Sequence, residues 1–479
     1  MTPPRRQLGF TITAAIVVAN MIGTGVFTST GFQANSLHDP VTILITWIVG
    51  GVLALCGAAT YAELGSMWPK AGGEYVYLRE AYHPGVGFMS GWVSLTAGFS
   101  APIAASSLAF ATYLAKLIPA LASPAIWLNA SLDLSGHHIF TIALGIKQAV
   151  AIGLIIAVTA MHSLDTKIGG WVQTGFTVAK VLLIVGFIIG GLTIGHGDWH
   201  NLAPQQGGLS NLPTPAFALA LIYSSFAYSG WNAAAYVAGE VKDPARTLPR
   251  ALLAGTGVVM VLYLLLNLVF LYAVPTSVLA GPSDSFAPVI EVGDVAARAL
   301  FGDRAGDFVT SVIALALVSA VSAMVMAGPR VYAAMAEDHA LPHQLARYNK
   351  RGVPTVAVIT QGVLGILFVL VGDLGQLIRF VAFTLALFAA LTVSSVFVMR
   401  HRRVPSPYRT FGYPVTPILF LLLSGCFAYV QLKENPKESL FVVAVLGLGG
   451  LLYAVFGRKP PATPSSTLPE ARVIDSDQP

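Results

Sequence analysis

The chain has 479 residues, of which 55% are hydrophobic and only 10% charged, and its mean hydropathy is +0.72. Soluble globular chains carry roughly 25% charged residues, so this composition excludes a soluble enzyme and specifies an integral membrane protein. The isoelectric point of 9.1 does not indicate a nucleic-acid binder, because the basic residues fall mainly at the ends of apolar segments, as membrane orientation requires.

Arg5 and Arg6 precede the first apolar run, which superficially resembles a secretory signal. The run exceeds a signal core of roughly 7–15 residues and reads as a retained first helix. Apolar segments long enough to cross about 30 Å of hydrocarbon lie near 8–32, 41–66, 87–115, 139–161, 167–194, 213–238, 250–274, 306–336, 354–371, 376–400, 413–432 and 438–456. The prediction is an all-α membrane protein with twelve spans. A cytoplasmic N-terminus (1–7) precedes a core over 8–400, then a loop with the last two helices (401–456). A disordered cytoplasmic tail (457–479), rich in Pro, Ser and Thr, follows. With both termini inside, nineteen of the 27 lysines and arginines are cytoplasmic, seven lie opposite, and Lys180 stays within a span. That asymmetry is what the positive-inside rule requires.

In the first span, Met21-Ile22-Gly23-Thr24-Gly25-Val26-Phe27 sets two glycines and a threonine at mid-depth. Unwinding a helix there exposes backbone groups that cost several kcal/mol each unless protein or a polar cavity satisfies them. Amides freed at the start of a second half-helix suit a carboxylate, and glycine lets a ligand approach the main chain. A small-residue packing face would use the same residues, so this stretch alone leaves both readings open. The sixth span holds a second interruption, Tyr223-Ser224-Ser225-Phe226-Ala227-Tyr228-Ser229-Gly230-Trp231-Asn232. Interruptions at corresponding places in two halves point to a transport site in an inverted repeat. Here that predicts spans 1–5 (about 8–194) and 6–10 (213–400), with two spans appended.

Ile22-Gly23-Thr24-Gly25-Val26-Phe27 resembles the glycine motif of the amino acid–polyamine–organocation superfamily. So does Tyr61-Ala62-Glu63-Leu64-Gly65 with Pro69 and Gly72-Gly73-Glu74-Tyr75-Val76-Tyr77. Phe226 to Asn232, Glu240 to Arg250, and Val172-Gln173 with Ala179-Lys180 are similar to the L-type amino acid transporters and their bacterial relatives. The resemblance implies a leucine-transporter-like fold with a 5+5 repeat, broken helices 1 and 6, and alternating access. Carried onto this chain, the substrate carboxylate meets the amides of Gly23, Thr24 and Gly25. The ammonium meets carbonyls among Ile22, Phe226, Ala227 and Ser229. Phe226 takes the family's aromatic-gate position, and Asn232 lines the pocket.

A lysine at the centre of a span costs roughly 2.5–3.5 kcal/mol on insertion scales and marks function by default. In the resembling family, lysine at the place of Lys180 touches the unwound first helix where sodium-coupled relatives hold sodium. It reads either as a fixed cation or as a proton carrier, with Ser319 and Ser322 as candidate hydroxyl partners. Glu63 reads as structural, His162 as interfacial, and Pro102 as a kink. Gly186 with Gly190 suggests helix packing. Gly255-Thr256-Gly257 lacks the context of a nucleotide loop. His137-His138 has no further ligands, and Cys56 and Cys426 define no disulfide or metal spacing, so no metal and no cofactor is expected.

The expected function is sodium-independent transport of small or medium neutral L-amino acids across the cytoplasmic (inner) membrane, by exchange or proton symport. Its partners are the amino acid, the bilayer and, for symport, protons, with no nucleic acid. Loop 117–138 contains no cysteine, so no disulfide-linked heavy chain is expected. The alternatives are a cationic amino acid or polyamine antiporter and, from another class, an amino-acid-sensing receptor or a channel.

Overall fold

All twelve predicted apolar segments contain helix in a computed structural model. It describes residues 8–456 except 71, 135–136, 165, 206–207, 213, 283–287 and 339–340. The predicted N-terminus 1–7 and tail 457–479 lie outside the described residues, as do the side chains of Val172, Gln173, His137 and His138. Among the described residues, nine helices are long and apolar enough to cross a membrane. Three shorter apolar helices, Thr177–Thr193, Pro215–Tyr228 and Thr355–Val371, stand at predicted spans five, six and nine.

Caps and prolines set the helix starts. Asp39 accepts from the Thr42 amide ahead of Pro40–Met67 (span two), and Thr214 accepts from the Phe217 amide ahead of Pro215–Tyr228. Proline at the first helical position loses no internal hydrogen bond. Span three, Pro84–Leu117, contains a π-helical turn over Ser94–Ser100 immediately before Pro102. Both devices are common sites of helix bending, and they coincide with the proline at which the sequence predicts a kink.

The all-α expectation needs a correction. Ile126–Leu134 pairs antiparallel with His137–Gly145, and span four begins only at Ile146 instead of 139. From Leu128 to Leu134 apolar and polar residues alternate with period two, which suits a strand with two unlike faces. The apolar run through 139–145 was read as helix because a short run carries no period of its own.

Span one is divided into Phe10–Met21 and Thr24–Leu37, and span six into Pro215–Tyr228 and Ala233–Tyr236. The second half of span one packs on span six. Span seven (Pro244–Ala273) packs on spans one and two. Span eight (Asp303–Glu337) packs instead on spans three and five, and span nine (Thr355–Val371) on span four (Ile146–Leu164). Two groups of helices thus meet at the interruptions. At the opposite end of each broken span, Leu8 forms a parallel bridge with Val241, its amide reaching Glu240 O at 3.0 Å while Lys242 N reaches Leu8 O at 2.8 Å.

Glu63 has the structural role expected of it. Both carboxylate oxygens accept from Arg400, at 2.9 and 2.8 Å, and Oε2 also accepts from Thr410 N and Oγ1 at 2.7 and 2.6 Å. This ties span two to span ten (Leu374–His401) and to the loop after it. Removing one partner of a buried pair strands the other charge, typically at about 3–5 kcal/mol. Arg400 keeps some solvent contact, so Glu63→Ala is expected at the low end of that range. Thermal unfolding in detergent would show this as a clearly lowered melting temperature, and an unchanged one would remove the pair from the stability argument.

Candidate functional site

The first interruption is two residues long. Ile22 leaves the helix in an extended conformation, Gly23 is extended as well, and Thr24 opens the second half with no side-chain cap. The first amides of a helix have no internal partner, and here they carry the positive end of the helix dipole. In span six, Ser229 leaves the helix extended and Gly230 takes φ +96°, a left-handed conformation that favours glycine.

The two interruptions touch through their backbones. A Cβ on Gly25 would lie 2.4 Å from Ala227 Cα, and one on Gly230 would lie 2.9 Å from Asn20 O. Glycine at these positions is therefore required by close approach. Beside the contact lies a cavity of about 50 Å³, lined by Gly23, Thr24 and Gly25 from the first break and by Phe226, Ala227 and Ser229 from the second. Six of the eight predicted substrate residues are brought together. Pro102 and Ser106 of span three and Ala320, Ala323 and Met324 of span eight complete much of the wall, and no charged side chain lines it.

Lys180 is fully buried, and its ammonium donates to Ala19 O and Ile22 O, both at 2.7 Å. These are carbonyls released at the C-terminal end of the first half-helix, where the dipole is negative and a cation is stabilised. Tyr263 from span seven donates to a third such carbonyl, Met21 O, at 2.5 Å. The unwound turn is thus satisfied by side chains from two other spans.

Four predicted residues sit differently from expectation. Ile22 does not line the cavity, and its carbonyl accepts from Lys180. Asn232 lines a different cavity on the other side of the break, where its amide donates to Glu74 Oε1 at 2.7 Å. Ser322 is not a partner of Lys180: its Oγ lies 2.8 Å from His162 Nε2. His162 is accordingly buried within the protein. Ser319 Oγ is buried and bonds to neither Lys180 nor any other described group. A one-residue error of helical phase rotates a side chain by about 100°, and the sequence supplied no phase for span eight relative to span five. Phe226 does lie at the cavity, but its carbonyl already accepts from Ser229 N at 3.0 Å.

Two contacts were missed by sequence reasoning. Thr24 Oγ1 donates to Ser106 Oγ at 2.6 Å, which joins the first break to span three. Tyr263 resembles any aromatic in an apolar run, so only the fold brings it to Met21.

The description "Amino acid permease" belongs to the family model that matches residues 8–451. The chain is 28% identical to the serine/threonine exchanger SteT of Bacillus subtilis (strain 168), over 93% of this chain and 95% of that protein. It is 29% identical to the human b(0,+)-type amino acid transporter 1, over 95% and 88% of the two chains. It is also 29% identical to the human large neutral amino acids transporter small subunit 2, over 94% and 79%. With nearly its whole length matched and its apolar helices broken where the cavity forms, the chain is a multi-pass membrane protein that belongs to the amino acid permease family.

Proposed function

We propose that this chain carries small neutral L-amino acids across the cytoplasmic membrane by alternating access, as a sodium-independent exchanger. In this reading spans 1–5 and 6–10 form the inverted repeat, with both termini cytoplasmic. The observation that carries it is the Lys180 ammonium held on Ala19 O and Ile22 O. A fixed cation on the carbonyls of the broken helix leaves no need for a sodium ion there. The substrate carboxylate then lies at the amides of Thr24 and Gly25, with Gly23 opening the turn. Its ammonium lies among the carbonyls of Ala227 and Ser229, and Phe226 closes over it. A zwitterion is held in this way by two opposed helix ends without a charged side chain.

The size of the cavity supports the small-substrate reading. At roughly 10–15 Å³ per water-sized position, about 50 Å³ holds only a few, which suits alanine- or serine-sized side chains. The relative named as a serine/threonine exchanger agrees with both the size and the exchange mode. The exchanger works without a disulfide-linked partner, since its two cysteines, Cys56 and Cys426, lie within spans two and eleven.

Proteoliposomes test this directly. Labelled alanine or serine is expected to enter vesicles preloaded with unlabelled amino acid, with no requirement for sodium. Uptake into empty vesicles driven by an inward proton gradient would replace exchange with symport, and no uptake under either condition would overturn transport itself. Lys180→Ala removes the ammonium from the unwound turn, and uptake is expected to fall about tenfold or more, equivalent to at least roughly 1.4 kcal/mol. Near-normal uptake would take Lys180 out of the cycle. Gly25→Ala forces a Cβ to 2.4 Å from Ala227 Cα and is expected to abolish substrate binding. Gly257→Ala, where a Cβ meets nothing within 4 Å, serves as the matched control and should bind as the parent does.

A further inference from the structure

A second and larger cavity, of about 80 Å³, lies on the other side of the span-six break. It is bounded by span two, the Tyr228–Asn232 segment, span ten and span eleven (Val415–Glu434). Its walls are largely aromatic and aliphatic, with Tyr228, Trp231, Phe420 and Phe427 among them. Two polar groups face it without full partners. Glu74, from the short helix Glu74–Ala81 between spans two and three, is 5% exposed. Tyr61 Oη and Asn232 Nδ2 both donate to its Oε1, at 2.6 and 2.7 Å. Oε2 has no donor among the described residues. Ser424 is also 5% exposed, and its Oγ has no hydrogen-bond partner among the described residues.

A buried carboxylate is normally paired, because an isolated charge in a low dielectric is strongly disfavoured. Among the described residues no lysine or arginine pairs with Glu74. The groups facing it are the phenols of Tyr61 and Tyr236, the Asn232 amide, and Tyr77 on its own helix. Span ten contributes Ala382, Leu385, Ala386 and Ala389 to the cavity, none of them charged. An acid, a free hydroxyl and aromatic faces together suit a cation that also carries hydrocarbon. Ammonium groups pair with carboxylates and lie over aromatic rings, whereas a metal ion would demand several more oxygens.

We propose that this cavity binds a primary alkylammonium group, with the Glu74 carboxylate as its counter-ion and Ser424 Oγ as a further acceptor. The site is separate from the amide cavity and does not depend on the transport reading. Ser229 lines both cavities, so a ligand here bears on the same turn of span six. Burial pushes the Glu74 carboxyl above the ordinary carboxylate range, and the bonds from Tyr61 and Asn232 offset part of that rise. Amine binding therefore weakens as pH falls and the carboxyl takes up its own proton.

The test is calorimetric titration of the purified full-length protein in detergent at mildly alkaline pH, using propylammonium chloride, lysine and, as neutral controls, propan-1-ol and norleucine. Saturable binding of propylammonium, absent for propan-1-ol, is expected. Binding of lysine beyond that of norleucine, without propylammonium binding, would assign the cavity to a cationic side chain in place of a free amine. Glu74→Gln keeps the shape and removes the charge, and is expected to weaken the response about tenfold or more, roughly 1.4 kcal/mol. If that variant fails to fold, Ser424→Ala serves, with a few-fold weakening expected. No saturable binding of either ammonium compound by the parent protein, or binding unchanged in a folded Glu74→Gln, overturns the proposal. Alanine titrated alongside reports on the amide cavity separately, so failure at one site is distinguishable from failure at the other.

Discussion

Every unwound residue within hydrocarbon must find partners for its peptide groups in the protein, and this molecule meets that demand chiefly through one ammonium. Lys180 spans from a neighbouring helix to two carbonyls freed at the end of the first half-helix, and Tyr263 reaches a third. Without those donors the Ile22–Gly23 turn would carry orphaned acceptors costing several kcal/mol each. With them, the turn holds its place at the wall of a cavity that Gly23, Thr24 and Gly25 line. Desolvating a lysine is itself unfavourable, and the carbonyl dipoles that need a donor are what offset it. The cation and the break therefore stabilise each other, and neither has a reason to exist alone.

The second constraint on the two breaks is steric. The first and sixth spans approach so closely that Gly25 and Gly230 have no space for a side chain. Two helix ends brought this near place residues of both breaks on the wall of one cavity. The surrounding spans then act as scaffolding: span three supplies Ser106 to Thr24, and the Glu63–Arg400 pair fixes span ten to span two.

Much of this was legible in the residues. Glycines, serines and an asparagine at mid-depth in apolar runs are visible without coordinates, because hydrocarbon tolerates so few of them. A lone lysine is visible for the same reason. Each of the twelve apolar stretches contains helix, since a run of that length has few other ways to satisfy its backbone. What remained hidden depended on rotation about helix axes and on pairing at a distance. Asn232 lines the second cavity and not the one between the breaks, and Ser322 bonds His162 where Lys180 was expected. The hairpin after span three was hidden by a short apolar stretch, although the alternation in its first strand was present to be read. Glu74 drew attention only as part of a motif, and its burial beside a cavity is a property of tertiary packing.

The bridge between Leu8 and Val241 bears on how such a molecule can open. It joins the chain just before the first broken span to the chain just after the second, so the adjoining halves of the two spans share a tether at one end and the Asn20–Gly230 backbone contact at the other. A displacement of either half alone would strain both ties, which favours movement of the two as one body.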